Sequence, residues 1–433
     1  TGSGKSSIYG GYSAGLIAET KQHKGFGDLS MSRIQNFWKE RERTQSGSRS
    51  IDYKEKIRSH KLTLFYRAVL CILLIVAVAA FLLVQWRDKV FTENVTTSSV
   101  PVTVVQGAEV KDLGGSLLLY SKDGASCIDT KGNAIWNLTY EMQSPRISIS
   151  GETAAIGDYN GRTIYVVNKN GTGGTVNTNL PIRELCVSEN GVVAAVLDDS
   201  DVTRIYVYNG NENTEEPIVR AKATMDKSGY PVSISLTPNG KIMAVSYLYV
   251  DSGSMKSSVA FYNFGEVGKN EADNYVSGYD YLNTVIPYIQ FMNNSTAFAV
   301  SDDRIVFFNG AERPTNVASS LLEEEIQSVY YNENYVGLVF HDQTGTAAYR
   351  LDVYNASGSK VLSQFFDIEY SNIIFHKDQI IIYSDLECQI CNMKGVDKYL
   401  GTFDKTTSLL IPTSSVYKYL AVTNDSLDLL ELK

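Results

Sequence analysis

Tyr165-Val166-Val167-Asn168-Lys169-Asn170-Gly171 reads as a short apolar strand that stops on Asn, with Gly three residues later. The same ending recurs down the C-terminal three quarters of the chain. The copies are Ser126-Cys127-Ile128-Asp129…Gly132, Tyr206-Val207-Tyr208-Asn209-Gly210, Ala260-Phe261-Tyr262-Asn263…Gly265, Val306-Phe307-Phe308-Asn309-Gly310, Asp352-Val353-Tyr354-Asn355…Gly358 and Gln389-Ile390-Cys391-Asn392…Gly395. Their Asn or Asp positions lie 37 to 54 residues apart, the period of a β-propeller blade.

Around each copy the strands fall in groups of four. The second strand of each group is the most apolar, at 117–120, 153–156, 192–197, 242–247, 297–300, 335–340, 379–383 and 419–422. Turn dipeptides such as Asn190-Gly191 and Asn239-Gly240 separate the strands. The last group lacks a fourth strand, and the first is preceded by a spare one at 100–105. A terminal strand that completes the blade begun at the other terminus removes an exposed sheet edge. The expected fold class is therefore all-β, an eight-bladed propeller closed by its N-terminal strand, with seven blades as the alternative.

The net charge of −9 hides a split. Residues 1–67 hold 13 Lys/Arg and 6 Asp/Glu, and the remainder holds 26 and 42. Between the two regions residues 68–84 carry no charge. Seventeen residues at 1.5 Å give about 25 Å, and the apolar flanks reach the roughly 30 Å of a bilayer core. The run begins too far into the chain for an ordinary signal peptide, so an uncleaved signal anchor is expected. Lys54, Lys56, Arg58, Lys61 and Arg67 precede it, while Arg87 and Lys89 follow among Asp88 and Glu93. The larger basic flank stays cytoplasmic. The expected organisation is a mostly disordered basic cytoplasmic tail over 1–63 and a membrane span over 64–86. A linker over 87–99 and an extracytoplasmic propeller over 100–433 follow.

One segment, Cys127-Ile128-Asp129-Thr130-Lys131-Gly132-Asn133-Ala134-Ile135-Trp136, resembles the quinoprotein-type (PQQ-like, WD40-like) propeller repeat. That resemblance implies that the Trp docks one blade on the next. Leu362 stands in the Trp position after Asn355…Gly358, and Leu400 lies near it after Asn392…Gly395. An anchor followed by such a propeller is also similar to membrane-anchored propeller proteins of Gram-positive bacteria, chiefly clostridia, over about residues 50–433; this resemblance implies no known activity. Quinone-dependent members need an adjacent Cys-Cys pair, which the sequence lacks. The resemblance thus implies no cofactor and leaves the non-enzymatic scaffold branch open.

Chemistry-bearing residues are sparse. Cys388-Gln389-Ile390-Cys391 has metal or redox spacing, but on a strand residues three apart point to opposite faces, so both cysteines are expected in the core. Asp123, Asp158, Asp198, Asp302, Asp342 and Asp385 follow second strands, where Asp suits a turn. In a propeller these turns share one face. Asp198, Asp199 and Asp201 form the densest group, a possible cation site. The fourth group is the longest, with an extended hairpin around Asp251 and a tract over 270–283. Asp251, Tyr279, Asp280 and Tyr281 are the candidate binding residues, because long loops on a rigid scaffold carry function and tyrosines suit recognition. No catalytic residue and no metal ligand set is expected. The expected function is a binding or scaffold module at the cell envelope, with an envelope protein or glycan as partner and no nucleic acid. An enzyme acting on envelope glycan or a small molecule in the central channel and a sensor domain are the alternatives.

Overall fold

The computed structural model describes residues 53–87, 89–105, 107–200, 202–223, 229–251 and 253–433. Residues 1–52 of the expected basic tail and Asp201 lie outside the described residues; the tail's last residues, 53–63, are helical and not disordered. Two units make up the chain, one ending at Arg87 and one beginning at Asp88.

In the first unit, Tyr53–Arg87 forms a single helix. Its segment His60–Val84 is apolar over 25 residues, and none of its most apolar stretch is buried by protein. At 1.5 Å per residue it is about 37 Å long, enough to cross a bilayer core.

The second unit is an eight-bladed propeller, eight four-stranded antiparallel sheets in chain order. The first blade holds Glu109–Leu113, Ser116–Tyr120, Gly124–Ile128 and Ala134–Thr139. The next six repeat the pattern. The eighth combines Thr407–Pro412, Lys418–Thr423 and Ser426–Leu432 with Asn94–Pro101 from the other end of the chain. Eight apolar clusters occur among the described residues, one at each junction between neighbouring blades. The cluster of Leu117, Leu119 and Ile128 with Leu409, Leu420 and Leu427 joins blade eight to blade one, so the ring is closed.

Each blade is covered on both faces. In blade three, Val193, Ala195 and Leu197 pack toward blade two, whereas Ala194 and Val196 pack toward blade four. A strand buried on both sides is written as a continuous apolar run. For the same reason Cys388 and Cys391 lie in different clusters on opposite faces of blade seven. Both are buried and unpaired, and burial pushes the Cys391 thiol up to about 12.

The recurring turn has a specific geometry. In four copies the Asp or Asn side chain accepts the backbone N–H groups two and four residues on. Asp129 takes those of Lys131 and Asn133, both at 2.8 Å, and Asn392 takes those of Lys394 and Val396 at 2.9 and 3.0 Å. Asn168 and Asn355 do the same. The glycine three residues on has φ between +78° and +84° at Gly132, Gly171, Gly358 and Gly395, a region open to Gly without steric cost.

Each such glycine also lies against the outermost strand of the preceding blade. A Cβ on Gly171 would stand 2.8 Å from Trp136 Cδ1, and one on Gly395 would stand 3.1 Å from Leu362 Cδ1. Trp136 Nε1–H donates to the carbonyl of Asn168 at 3.0 Å. Trp136 therefore docks blade one on blade two, and Leu362 fills the equivalent place between blades six and seven. Leu400 is 65% exposed; the two outer strands of blade eight come from opposite ends of the chain and are not joined by such a turn.

The closing strand lies earlier than the expected 100–105. Asn94 pairs with Leu432, and Pro101 with Ser426. An outermost strand has one edge in water and needs little apolar patterning, so Asn94-Val95-Thr96-Thr97-Ser98-Ser99 carried a weak signal. Pro101 is tolerated there because it owes no ladder bond at the end of an edge strand. The apolar positions Val100, Val102 and Val104 instead pack into the junction of blades eight and one. The stretch expected as linker is tied down as well. Phe91 is buried, its N–H donates to Lys398 O at 2.7 Å, and its ring lies 4.3 Å from that of Tyr417.

Candidate functional site

The ring has two faces. One carries the hairpins between second and third strands together with the connections between blades. The other carries the remaining turns, including the recurring Asx turn.

On the first face the aspartates expected to form an acid ring are largely engaged within the protein. Asp158 accepts the N–H groups of Gln143 and Ser144 at 3.0 and 2.7 Å. Asp302 accepts that of Val285 at 3.2 Å, and Asp385 accepts the Ser371 hydroxyl at 3.3 Å. Each ties a hairpin to the start of the first strand of its own blade. Asp342 accepts N–H bonds from Thr344, Thr346 and Ala347, and these hold its carboxyl down at about 2.

Asp198 and Asp199 are each paired with an arginine. Asp198 takes the guanidinium of Arg183, with Nε at 3.1 Å, and Asp199 that of Arg204 at 2.6 Å. Among the described residues no group of three or more His, Cys, Asp or Glu side chains is placed to hold a metal ion.

In blade four, Asp251 ends the strand Ile242–Asp251 and pairs with Ser254 across the hairpin tip. Tyr279, Asp280 and Tyr281 lie on the outermost strand, Tyr275–Leu282, rather than in a loop. Alternation sends the two tyrosines toward blade five and Asp280 to the opposite, exposed side. The Tyr279 ring lies tilted against that of Phe308, centroids 5.4 Å apart, and its hydroxyl donates to Pro314 O at 3.3 Å. The Tyr281 hydroxyl accepts from Asn316 Nδ2 at 3.5 Å, and burial pushes its phenol up to about 12. Both rings are half-buried against the blade-five junction. Packing thus claims much of the surface that recognition would use. These residues and the Asp198–Asp199 pair sit on different blades.

The central channel holds a cavity of 530 Å³ lined by the first strands of blades two to five and the first turn of blade six. The inner edge of a first strand has no strand neighbour, so its free N–H groups need other acceptors. Serines of the preceding blade supply them. Ser148 Oγ accepts from Val187 N, Ser233 Oγ from Ile289 N and Ser235 Oγ from Phe291 N, at 3.1, 3.2 and 2.9 Å. The alternating Val232-Ser233-Ile234-Ser235-Leu236 is the sequence trace of this role. Glu184 also lines the cavity; its side chain is open to channel water yet ringed by protein, and that desolvation raises its carboxyl.

The polar residues at the channel mouth, Arg146, Tyr159, Arg183 and Tyr230, were not read from the sequence. They come from three blades, and no local spacing links them.

Among solved structures the chain is similar to BamB from Moraxella catarrhalis, at 11% identity over 78% of this chain and 100% of that one, TM-score 0.46. It is similar to apo AztD from Citrobacter koseri, at 9% over 72% and 93%, TM-score 0.46. It is also similar to Hsv2p from Kluyveromyces lactis, at 11% over 69% and 98%, TM-score 0.43. No curated protein matches the sequence significantly. Over residues 87–432 the chain fits the family of unknown function DUF5711, and it belongs to that family.

Proposed function

We propose that the chain is a single-pass membrane protein that displays its propeller outside the cytoplasm as a binding or scaffold module at the cell envelope. On this reading it stands with the membrane-anchored propeller proteins of Gram-positive bacteria. The observation that carries it is the apolar helix His60–Val84 set directly before the closed ring. The basic residues are crowded on the N-terminal side of that helix, which favours an N-in orientation. A rigid ring offers fixed surfaces on two faces, and fixed surfaces bind without an ordering cost. The expected partner is an envelope protein or glycan.

Protease added outside intact cells tests the orientation. An epitope at the C-terminus should be lost, and one near residue 20 should survive until the membrane is permeabilised. The reverse pattern would overturn the reading.

A further inference from the structure

The channel mouth at which the first strands begin carries side chains from blades two, three and four. Tyr159 sits in the hairpin that follows Thr153–Asp158. Arg146 and Arg183, each second in the first strand of its blade, place their guanidinium carbons 5.6 and 5.4 Å from the centre of its ring. Arg183 is fixed in turn. Besides Asp198, it donates to the Tyr159 hydroxyl at 3.1 Å and to Asn160 Oδ1 at 2.5 Å. The hairpin itself is pinned, with Tyr159 N–H on Ser144 O at 3.0 Å and Asn160 N–H on Ile182 O at 2.9 Å. Tyr230 opens the first strand of blade four and lies within electrostatic reach of Tyr159, Arg183, Asp198 and Glu184.

Tyr159 carries the two guanidinium groups over its ring and is 37% exposed, whereas Tyr230 is 38% exposed and carries neither. Arg146 and Glu184 feel each other electrostatically, yet among the described residues neither forms an ion pair. Glu184 lines the 530 Å³ cavity and Arg146 directly precedes Ile147, which also lines it, so a donor-only cation and an acceptor-only anion stand at one end of that cavity.

We propose that this mouth binds a glycan, with a pyranose face on Tyr230 and adjacent hydroxyls shared between Arg146, which Tyr159 holds in place, and Glu184. This deepens the binding-module reading and rests on it. A hydroxyl both donates and accepts, so neighbouring hydroxyls satisfy a free guanidinium and a free carboxylate together. A simple anion would meet the carboxylates of Glu184 and Asp198, and a simple cation would meet Arg146. The C–H face of a sugar ring needs flat apolar ground, which Tyr supplies while keeping its hydroxyl wet. The pinned hairpin holds the site in place before the ligand arrives.

The test uses the full chain in lipid nanodiscs. Titration calorimetry is run with linear β-1,4-linked tetrasaccharides of glucose, N-acetylglucosamine and glucuronate. At least one is expected to bind below about 10 mM. Arg146→Met and Tyr159→Ala should each weaken it by about tenfold or more, the size of one lost anchoring contact. Val361→Ala, exposed on blade six's outer strand, should leave it unchanged. Thermal melts of each variant check that the ring remains folded, and the exposed Arg146→Met keeps the test decisive if Tyr159→Ala does not. Absence of binding by all three sugars, or equal binding by Arg146→Met, would overturn the proposal. Nanodiscs have no sidedness, so this outcome is independent of the orientation measured in cells.

Discussion

A chain starting after Pro101 is expected to lose the cooperative melting shown by one starting at Asp88. The missing segment supplies the entire outer strand of blade eight, paired from Asn94–Leu432 to Pro101–Ser426. It also supplies Phe91, buried in the junction of blades seven and eight, and Val100 at the junction of blades eight and one. Truncating one buried Phe costs about 3–5 kcal/mol on its own. Domains are stable by about 5–15 kcal/mol in total, so the loss should unfold blade eight or the whole ring at moderate temperature. The exposed edge of Ser426–Leu432 should also promote aggregation. Circular-dichroism melts and light scattering read both effects. Equal midpoints for the two proteins would exclude closure by this strand.

Gly171→Ala should destabilise far more than Gly115→Ala, although the two glycines share nearly the same φ. Gly171 has φ +84° and Gly115 +85°, so each substitution meets the same left-handed penalty of roughly 1–2 kcal/mol. A Cβ at Gly115 meets nothing within 4 Å. A Cβ at Gly171 meets three Trp136 atoms between 2.8 and 3.0 Å, and overpacking adds about 1–3 kcal/mol. Gly171→Val should cost more again, because a branched side chain suits that conformation worst. Trp136→Ala removes the other half of the contact and should cost about 3 kcal/mol, the low end for a large aromatic that is only part-buried. Denaturant midpoints measure all four. Similar losses at Gly171 and Gly115 would mean that the turn does not bear on the neighbouring blade.

The blade count was legible because two signals survive in one dimension. Second strands buried on both faces read as unbroken apolar runs, and all eight were found near their observed limits. The Asx turn needs Asp or Asn at one position and Gly three later, so its chemistry is written locally at Asp129, Asn168, Asn355 and Asn392. Trp136 and Leu362 were placed correctly for the same reason, since docking follows the turn at fixed spacing.

What escaped is non-local. The closing strand Asn94–Pro101 is polar and acquires its meaning only from Ser426–Leu432, more than 300 residues away. Tyr279 and Tyr281 looked like loop residues because their tract is long; the length is taken up by two short 3-10 turns before a regular strand. Asp198 and Asp199 looked like a cation site because acids cluster in sequence, while their arginine partners sit at Arg183 and Arg204. The channel mouth is the extreme case, assembled from three blades with no shared motif.

Hydrogen exchange on the full chain most directly tests the closed ring held by its N-terminal strand. In the ring, amides of Asn94–Pro101 that face Ser426–Leu432 should be protected to the same degree as those of other outer strands such as Lys360–Phe366. Exchange of 94–101 at the rate of unstructured peptide, with Lys360–Phe366 still protected, would contradict it.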